Sequence, residues 1–506
     1  MAPPHDPSSY PPKLSQEELD RLVLASKDWS AANGLCVRPP PALVSSDQDP
    51  VGILAVNAPV TLFPSLFPRS CFEQGQSVQR AYNELYAKVS QDEDFLQNIV
   101  NDVIEGDEFI ANLWKVHQRV KKDGYAHKLS LGLFRSDYMV HQEVTSPPQV
   151  KQVEFNTIAS SFGGLSAQTS GLHKFLAQSE YSLLENSPGI DVNELPSNPT
   201  VAGLAGGMVA AHKLYGQSKS GKPLCIIFLV QTGERNVFDQ RHIEYALRSS
   251  EVPVFRLEFA DFLKYAEVAE TATKELLYTL PSNASKVFEV SAVYLRAGYG
   301  PGDYPDSSGW EARYQLERSA ATKCPSVLTQ LAGAKKVQQV LASRDVLSRF
   351  VGKDSDKAKK LLDTFTNIFP LDSSTEGLRA RKLALDETEC QKYVLKPQRE
   401  GGGNNIYRSD IPPFLKSIPE RHWNSYILME LITPPPARNI IMRNGQLEEG
   451  GVIGELGVYG ACVWKSGTGE VVHNEDVGYL LRTKGDKSEE GGVAAGFGCM
   501  DSVLLV

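Results

Sequence analysis

Lys396-Pro-Gln-Arg-Glu-Gly-Gly-Gly-Asn-Asn405 is the stretch on which the fold of this chain turns. Three consecutive glycines do not suit the inside of a helix or strand, because each gives up much backbone entropy on ordering. Such a run lets the backbone come close to a ligand and turn several N–H groups towards it, which is how loops hold phosphate oxygens. Around Gly401, Gly402 and Gly403 stand a cation, Lys396, a carboxylate, Glu400, and two amides, Asn404 and Asn405. For the glycines alone, a plain surface loop is the competing reading. The flanking charges, and an apolar Tyr393-Val-Leu395 that reads as a buried strand ending at the loop, favour a nucleoside triphosphate loop with a hard oxygen ligand for magnesium.

Upstream, Glu154-Phe155-Asn156 ends an apolar strand pattern and is followed by Ser160, Ser161, Gly163 and Gly164. Alternation puts Glu154 and Asn156 on one face and Phe155 on the other. A carboxylate beside an amide oxygen suits Mg²⁺, which keeps waters and bridges to substrate phosphates, and Glu400 can supply a further ligand. Downstream, Arg482 and Lys484 are two apart on a strand pattern before Gly491-Gly-Val-Ala-Ala-Gly496, whose small side chains suit a lid over a small ligand. A surface strand and an ordinary turn is the alternative for that pair. Arg135 and Arg296-Ala-Gly-Tyr299 follow strand patterns, and Arg235, Asn236 and Gln240 cluster after another, at the strand ends where open α/β sheets bind ligands. Gly216-Gln-Ser-Lys-Ser-Gly-Lys222 has the spacing of a phosphate loop, but Pro223 stands where a Ser or Thr is needed and the strand follows the loop instead of preceding it.

The bulk composition narrows the classes. With 506 residues the chain has room for two to four domains. A net charge of −9 argues against nucleic acid as the main partner. No apolar run reaches ~18 residues, so no membrane span is expected. The first residues, rich in Pro and Ser, read as a disordered tail without the pattern of a signal peptide. Seven dispersed cysteines without a Cys-x-x-Cys pair suit reduced thiols, and the sequon at Asn283-Ala-Ser285 reads as chance.

Ser15 and Glu18 have capping-box spacing at the start of a first helix, which Gly34 can stop. A helical region follows over 77–120, then strands over 129–134 and 150–155. After Gly216–Lys222 the pattern alternates: strand 224–230, helix 238–248, strand 252–257, helix 259–280, strand 287–295, and then helix 329–343. That alternation predicts a compact α/β unit with parallel strands.

Val153-Glu-Phe-Asn-Thr157 with Ser161-Phe-Gly-Gly164 resembles the second signature of eukaryotic glutathione synthetases. Leu395 to Asn405 is similar to their glycine-triad loop, and Leu480-Leu-Arg-Thr-Lys484 with Gly491-Gly-Val-Ala-Ala495 to their alanine-rich loop. Arg135-Ser-Asp-Tyr-Met139, Glu234-Arg-Asn-Val-Phe-Asp-Gln240 and Gln330-Leu-Ala-Gly-Ala-Lys-Lys-Val-Gln-Gln339 agree, in the family's order along nearly the whole chain.

The resemblance implies an α/β (α+β) ATP-grasp fold with an inserted smaller α/β substrate-binding domain. It divides the chain into a tail (1–14), an N-terminal part (15–215), the insert (216–330) and a C-terminal part (331–506). It implies a cytoplasmic homodimer that ligates γ-glutamylcysteine to glycine through an acyl phosphate, with ATP and Mg²⁺. A β-alanine or serine acceptor, and an inactive ATP-binding scaffold, are the alternatives. Position by position, it implies magnesium at Glu154, Asn156 and Glu400. It implies ATP at Glu154, Lys335, Lys396, Glu400, Gly401, Gly402, Gly403, Asn404, Asn405, Tyr407, Met429, Glu430, Leu431, Ile432, Glu455, Lys484 and Glu490. Peptide and glycine fall to Arg135, Ile158, Ala159, Ser160, Ser161, Glu234, Arg235, Asn236, Gln240, Arg296, Tyr299, Arg482, Val493 and Ala494. Arg482, Lys396 and Lys335 are the implied catalytic groups. Ala159 stands where many family members have serine, and Glu490 where they have aspartate.

Overall fold

A mixed sheet of thirteen strands runs through the computed structural model, which describes residues 9–143, 146–352, 355–489, 493, 496 and 498–506. Its antiparallel half is built around strand Leu129–His141, which pairs with Gln149–Asn156 on one side and Gln446–Lys465 on the other. Val471–Gly485 and Gly498–Asp501 extend that half. Its parallel half holds Leu224–Val230, Val254–Glu258, Val287–Leu295 and Thr322–Cys324. The two halves meet at Lys323 opposite Ser130. The expected unit 216–330 therefore supplies the parallel strands of a shared sheet and has no separate one.

Two cores cover the two faces of this sheet. Phe134, Phe155, Tyr86 and Trp464 belong to one, Leu131, Leu133, Ala461 and Met208 to the other. Each strand feeds both because side chains alternate. A smaller antiparallel sheet orders Ile368–Pro370, Tyr426–Glu430, Tyr393–Pro397 and Ile406–Tyr407. It has its own core of Leu371, Leu395, Leu415 and Leu428 against helices Thr375–Leu385 and Ile411–Ser417. This small lobe carries the triglycine loop. Among the described residues no helix is long and apolar enough to cross a membrane. All seven cysteines are buried and free.

Several sequence expectations shift. The capping box at Ser15 and Glu18 starts helix Gln16–Ala32 as read. The helical region 77–120 divides into Arg69–Val89, Glu93–Val103 and Glu108–Asp123, with Asp92 and Asp107 capping the second and third. The stretch 259–280 is not one helix. After a single turn, Phe262–Tyr265, it forms a hairpin of Ala266–Val268 and Leu276–Thr279. Its Ala/Glu-rich composition favours helix, but burial of Ala266, Val268, Leu276 and Tyr278 against the sheet edge outweighs that propensity. The stretch 329–343 breaks into Val327–Ala332 and Lys335–Leu341, so Lys335 opens its own helix. A side chain on the intervening Gly333 would come within 2.3 Å of Thr157 Oγ1. The strand 129–134 runs on to His141, which puts Arg135 in mid-strand instead of at its end.

Gly216–Lys222 holds an anion of its own. The Glu289 carboxylate accepts from Lys219 N at 2.9 Å, Ser220 N at 2.8 Å and Ser218 Oγ at 2.7 Å, filling the nest that a phosphate would need.

Asp501 locks the end of strand Gly498–Asp501, which pairs beside Arg482. It accepts from Thr61 Oγ1 at 2.7 Å, Ser65 Oγ at 2.6 Å, Thr483 Oγ1 at 2.6 Å and Ser502 N at 2.7 Å. Burial nevertheless pushes its carboxyl up to about 6. The folded state thus holds this proton more tightly than the unfolded chain. The stability it contributes is full below pH ~4 and is lost as the pH rises through about 6. Asp501→Asn is expected to flatten that part of the stability curve, on the order of 2–3 kcal/mol. Thermal melts from pH 4 to 7 check it.

Candidate active site

A cavity of about 380 Å³ is lined from the large sheet and the small lobe together. Strand register builds its large-sheet wall. Asp137 lies opposite Glu154 and Gly457, Arg135 opposite Asn156 and Tyr459, and Glu455 opposite Arg482. Alternation sends Phe155 into the core, onto Tyr86 at 3.8 Å between ring centres, and leaves Glu154 and Asn156 on the cavity side.

Asp137 is the hub of this wall. Fully buried, it accepts from Arg135 Nε at 2.5 Å and Nη2 at 2.8 Å, from Asn156 Nδ2 at 3.0 Å and from Arg482 Nη2 at 3.0 Å. Arg482 donates on its other side to Glu455. Burial would lower the Arg482 and Arg135 pKa values, but Glu455 and Asp137 around the first, and Asp137 beside the second, hold both guanidiniums firmly charged. Gly457 makes this crossing possible, since a Cβ there would come within 2.7 Å of Arg135 Cδ and 2.8 Å of Asp137 Oδ1. Gly457→Ala is expected to push the Arg135–Asp137 pair aside and lower kcat/KM about 10- to 100-fold, the scale of a misplaced positioning group. Steady-state kinetics well below the variant's melting temperature would show it, beside a melting curve lowered by the displaced buried pair.

Lys335 stands between two carboxylates, 3.1 Å from Glu154 Oε2 and 3.0 Å from Glu400 Oε1. Lys396 Nζ donates to the Val153 carbonyl at 2.9 Å. Burial would raise the Glu154 carboxyl, but Lys335, Lys396, Arg482 and Arg135 hold it well below the usual carboxylate range. Burial pushes Glu400 up to about 7, with Glu154 adding to the shift and Lys335 opposing it. Burial also lowers the Lys396 ammonium, with Lys335 adding to it and Glu154 opposing. Glu154 held ionised beside Glu400, whose burial Lys335 only partly offsets, suits a divalent ion. Among the described residues no three His, Cys, Asp or Glu side chains converge to hold a metal by themselves. The Asn156 amide nitrogen is spent on Asp137 Oδ2 and the Arg135 carbonyl, so its oxygen is the donor left for a cation. Two carboxylates and one amide oxygen fit Mg²⁺ completed by phosphates and water.

Gly401, Gly402 and Gly403 all have left-handed backbones, φ +98°, +72° and +73°. Three such residues in a row are open only to glycine at low cost. Gly402 and Gly403 face open space, so backbone conformation and not crowding demands them. In the Met429–Ile432 linker, Glu430 N donates to the Asn367 carbonyl at 2.9 Å and Leu431 N to the Lys392 carbonyl at 2.8 Å.

The turn after Asn156 is held from three sides. Arg135 Nη1 at 3.1 Å and Tyr459 OH at 2.5 Å donate to the Ser161 carbonyl, and Arg296 Nη2 donates to Ser161 Oγ at 2.5 Å. Ala159 (φ 49°) and Phe162 (φ 73°) are left-handed without being glycine. Asp239 holds Phe162 there by accepting from the N–H groups of Phe162 at 2.7 Å, Gly164 at 2.7 Å and Leu165 at 3.1 Å, and Ser161 Oγ donates to the Ala159 carbonyl at 3.0 Å.

Most residues singled out in the sequence line the cavity: Arg135, Glu154, Asn156, Ile158, Ala159, Ser161, Tyr299, Lys335, Lys396, Glu400, Gly401, Gly402, Asn404, Asn405, Tyr407, Met429 to Ile432, Glu455, Arg482, Lys484 and Val493. Gly403 and Ser160 are not on its lining. Neither are Arg296, Asn236, Gln240 and Glu234. Arg296 stands behind Ser161, and Glu234 is engaged by Asn236 N at 2.8 Å and Gln240 Nε2 at 2.6 Å. Arg235 is exposed and packs on the N-terminal segment, its Nε 3.3 Å from the Arg38 carbonyl. Glu490 and Ala494 lie outside the described residues. Asp137, Asp239 and Tyr459 were not singled out. The first was detectable, because it shares a strand face with Arg135 two residues away. The other two act across long sequence separations that no local pattern records.

A family model described as eukaryotic glutathione synthase, ATP binding domain, matches residues 16–505. The glutathione synthetase large chain of Schizosaccharomyces pombe is 38% identical over 97% of this chain and 99% of its own length. The human glutathione synthetase is 37% identical over 96% and 97%. A solved glutathione synthetase-like effector from Globodera pallida, in apo form, overlays with a TM-score of 0.74 at 22% identity, covering 98% of both chains, and so shares the fold. A model matching nearly from end to end, and near-full-length relatives well above a third identical, show that this chain belongs to the eukaryotic glutathione synthase family.

Proposed function

We propose that this cavity joins the cysteinyl carboxylate of γ-glutamylcysteine to the amine of glycine, with ATP converted to ADP and phosphate. The observation that carries this reading is the convergence of Glu154, Lys335, Lys396, Glu400 and Arg482 on one cavity beneath a triglycine loop. Lys335 and Lys396 take the phosphate oxygens, and the left-handed backbone of Gly401 to Gly403 covers them. The remaining backbone groups of Met429–Ile432 read the adenine edge, with Glu455, Asn405, Tyr407 and Lys484 around the nucleoside. Arg135, Ser161 and Tyr299 line the peptide's end. The stretch 216–330 serves as the peptide-binding unit, through Arg296 and Asp239 behind Ser161.

A carboxylate resists attack by an amine, so it is first activated by transfer of the γ-phosphoryl group to one of its oxygens, releasing ADP. The amine then attacks the acyl carbon, the C–O bond to phosphate breaks, and the amine loses a proton. Charge builds first on phosphoryl oxygens and then on a tetrahedral oxyanion, and Lys335, Lys396 and Arg482 stand where they can stabilise it. Glu154, Glu400 and the Asn156 oxygen would hold Mg²⁺, which when bound neutralises phosphate charge and orients the γ-phosphoryl group. No cysteine has a part, and all seven are buried.

Glycine is the acceptor we favour over β-alanine and serine. An assembly of two copies is supported by apolar Leu43, Val51, Ile53 and Leu54, all exposed within one stretch. A cytoplasmic setting is supported by the seven unpaired thiols. The decisive experiment follows ADP release with γ-glutamylcysteine, glycine, ATP and Mg²⁺, leaving out one component at a time. Release that needs all four carries the reading. Nucleotide binding with no ADP released under any combination would replace it with a binding scaffold.

A further inference from the structure

Outside the groups just assigned, one ion pair crosses the mouth of the cavity. Arg408 follows strand Ile406–Tyr407 of the small lobe, and Glu489 lies just beyond strand Val471–Gly485 of the large sheet. Arg408 Nε is 3.0 Å from Glu489 Oε1, and both residues line the cavity. Each partner is anchored to its own side. Arg408 Nη1 donates to the Gln391 carbonyl at 2.9 Å, within the small lobe. Its backbone is left-handed, φ 49°, a conformation costly for an arginine and held by the surrounding structure. The Glu489 carbonyl accepts from Lys484 Nζ, on the large sheet beside Arg482. The eighty-one-residue separation joins the small lobe to the end of the large sheet, while on another side Ser425 Oγ fastens the small lobe to the Val103 carbonyl at 2.8 Å.

We infer that Arg408 and Glu489 form a latch across the cavity mouth that sets how long nucleotide stays bound. This rests on the reading of the cavity as an ATP site. Neither side chain has a part in the chemistry derived above, so their effect is on positioning and release. Any opening of the cavity between Arg408 of the small lobe and Glu489 beyond the large sheet must separate this pair. Both side chains keep about half their surface exposed, 49% and 46%. The pair is therefore screened by salt and modest in strength, as a contact that must open in every cycle should be.

The test measures ADP dissociation by displacement with a fluorescent nucleotide. It compares the full chain with Arg408→Ala, Glu489→Gln and the double variant, each at low and at ~0.5 M NaCl. Each single variant is expected to release ADP about two- to fivefold faster at low salt, the scale of a part-exposed ion pair. The double variant should be no faster than the faster single one. High salt should speed release from the unmodified chain towards the double variant's rate and change the double variant less. A purely structural role would lower the melting temperature without this shared salt dependence. Release unchanged in either single variant, or effects that multiply in the double, would overturn the latch. If the unmodified chain binds no ADP, the nucleotide reading itself fails, which is a separate and recognisable outcome.

Discussion

Arg482→Ala is expected to lower turnover about 10²- to 10³-fold, the scale of removing one charge-stabilising donor. The guanidinium is fixed by Asp137 at 3.0 Å and by Glu455, so in the proposed reaction it would meet developing charge without having to reorganise. Its loss acts twice. The proposed oxyanion would lose a donor, and Glu455, which burial already raises, loses the partner that opposes that shift. Glu154 also loses one of the four cations that keep it ionised. Arg482→Lys should recover only part of the rate, because a lysine keeps the charge but cannot engage two acceptors in one plane. Steady-state kinetics with saturating ATP separates the two, since the loss should fall on kcat. Near-normal turnover in the alanine variant would remove Arg482 from the reacting centre.

Lys396→Met is the second large effect, about 10²-fold in turnover. Lys396 is buried at 4% exposure, with its ammonium on the Val153 carbonyl. Methionine preserves most of the apolar stem, so the change reads the charge and not the packing. The Val153 carbonyl loses its donor, at a cost of about 1–3 kcal/mol in stability, which a melting curve measures independently. If Lys396 holds phosphate in both ground and transition states, KM for ATP rises along with the fall in kcat. A rise in KM alone would mean that Lys396 binds nucleotide without helping transfer.

The two arginines show how legible the site was. Arg482 and Lys484 share a face by strand alternation alone, and both do line the cavity. The same logic placed Glu154 and Asn156 together with Phe155 turned away. Arg135 was recognised as functional and its strand was ended too early. A charge in an apolar strand pattern suggests a boundary, yet Asp137 neutralises this one from the same strand face, and the strand continues to His141. Asp239 lay inside a quoted motif without a role, because its three backbone partners are some seventy-five residues away.

Sequence by itself determined the chemistry: three glycines that only a left-handed loop requires, acids and cations at strand spacing, and thiols without pairing. Those follow from local backbone preference and side-chain period, which need no knowledge of the rest of the chain. Only tertiary structure decided that Lys335 stands between Glu154 and Glu400, that Asp137 joins Arg135 to Arg482, and that 259–280 forms a hairpin instead of a helix. Each depends on which distant strands pair and on burial at the resulting seam, where desolvation and Coulomb attraction outweigh local propensity.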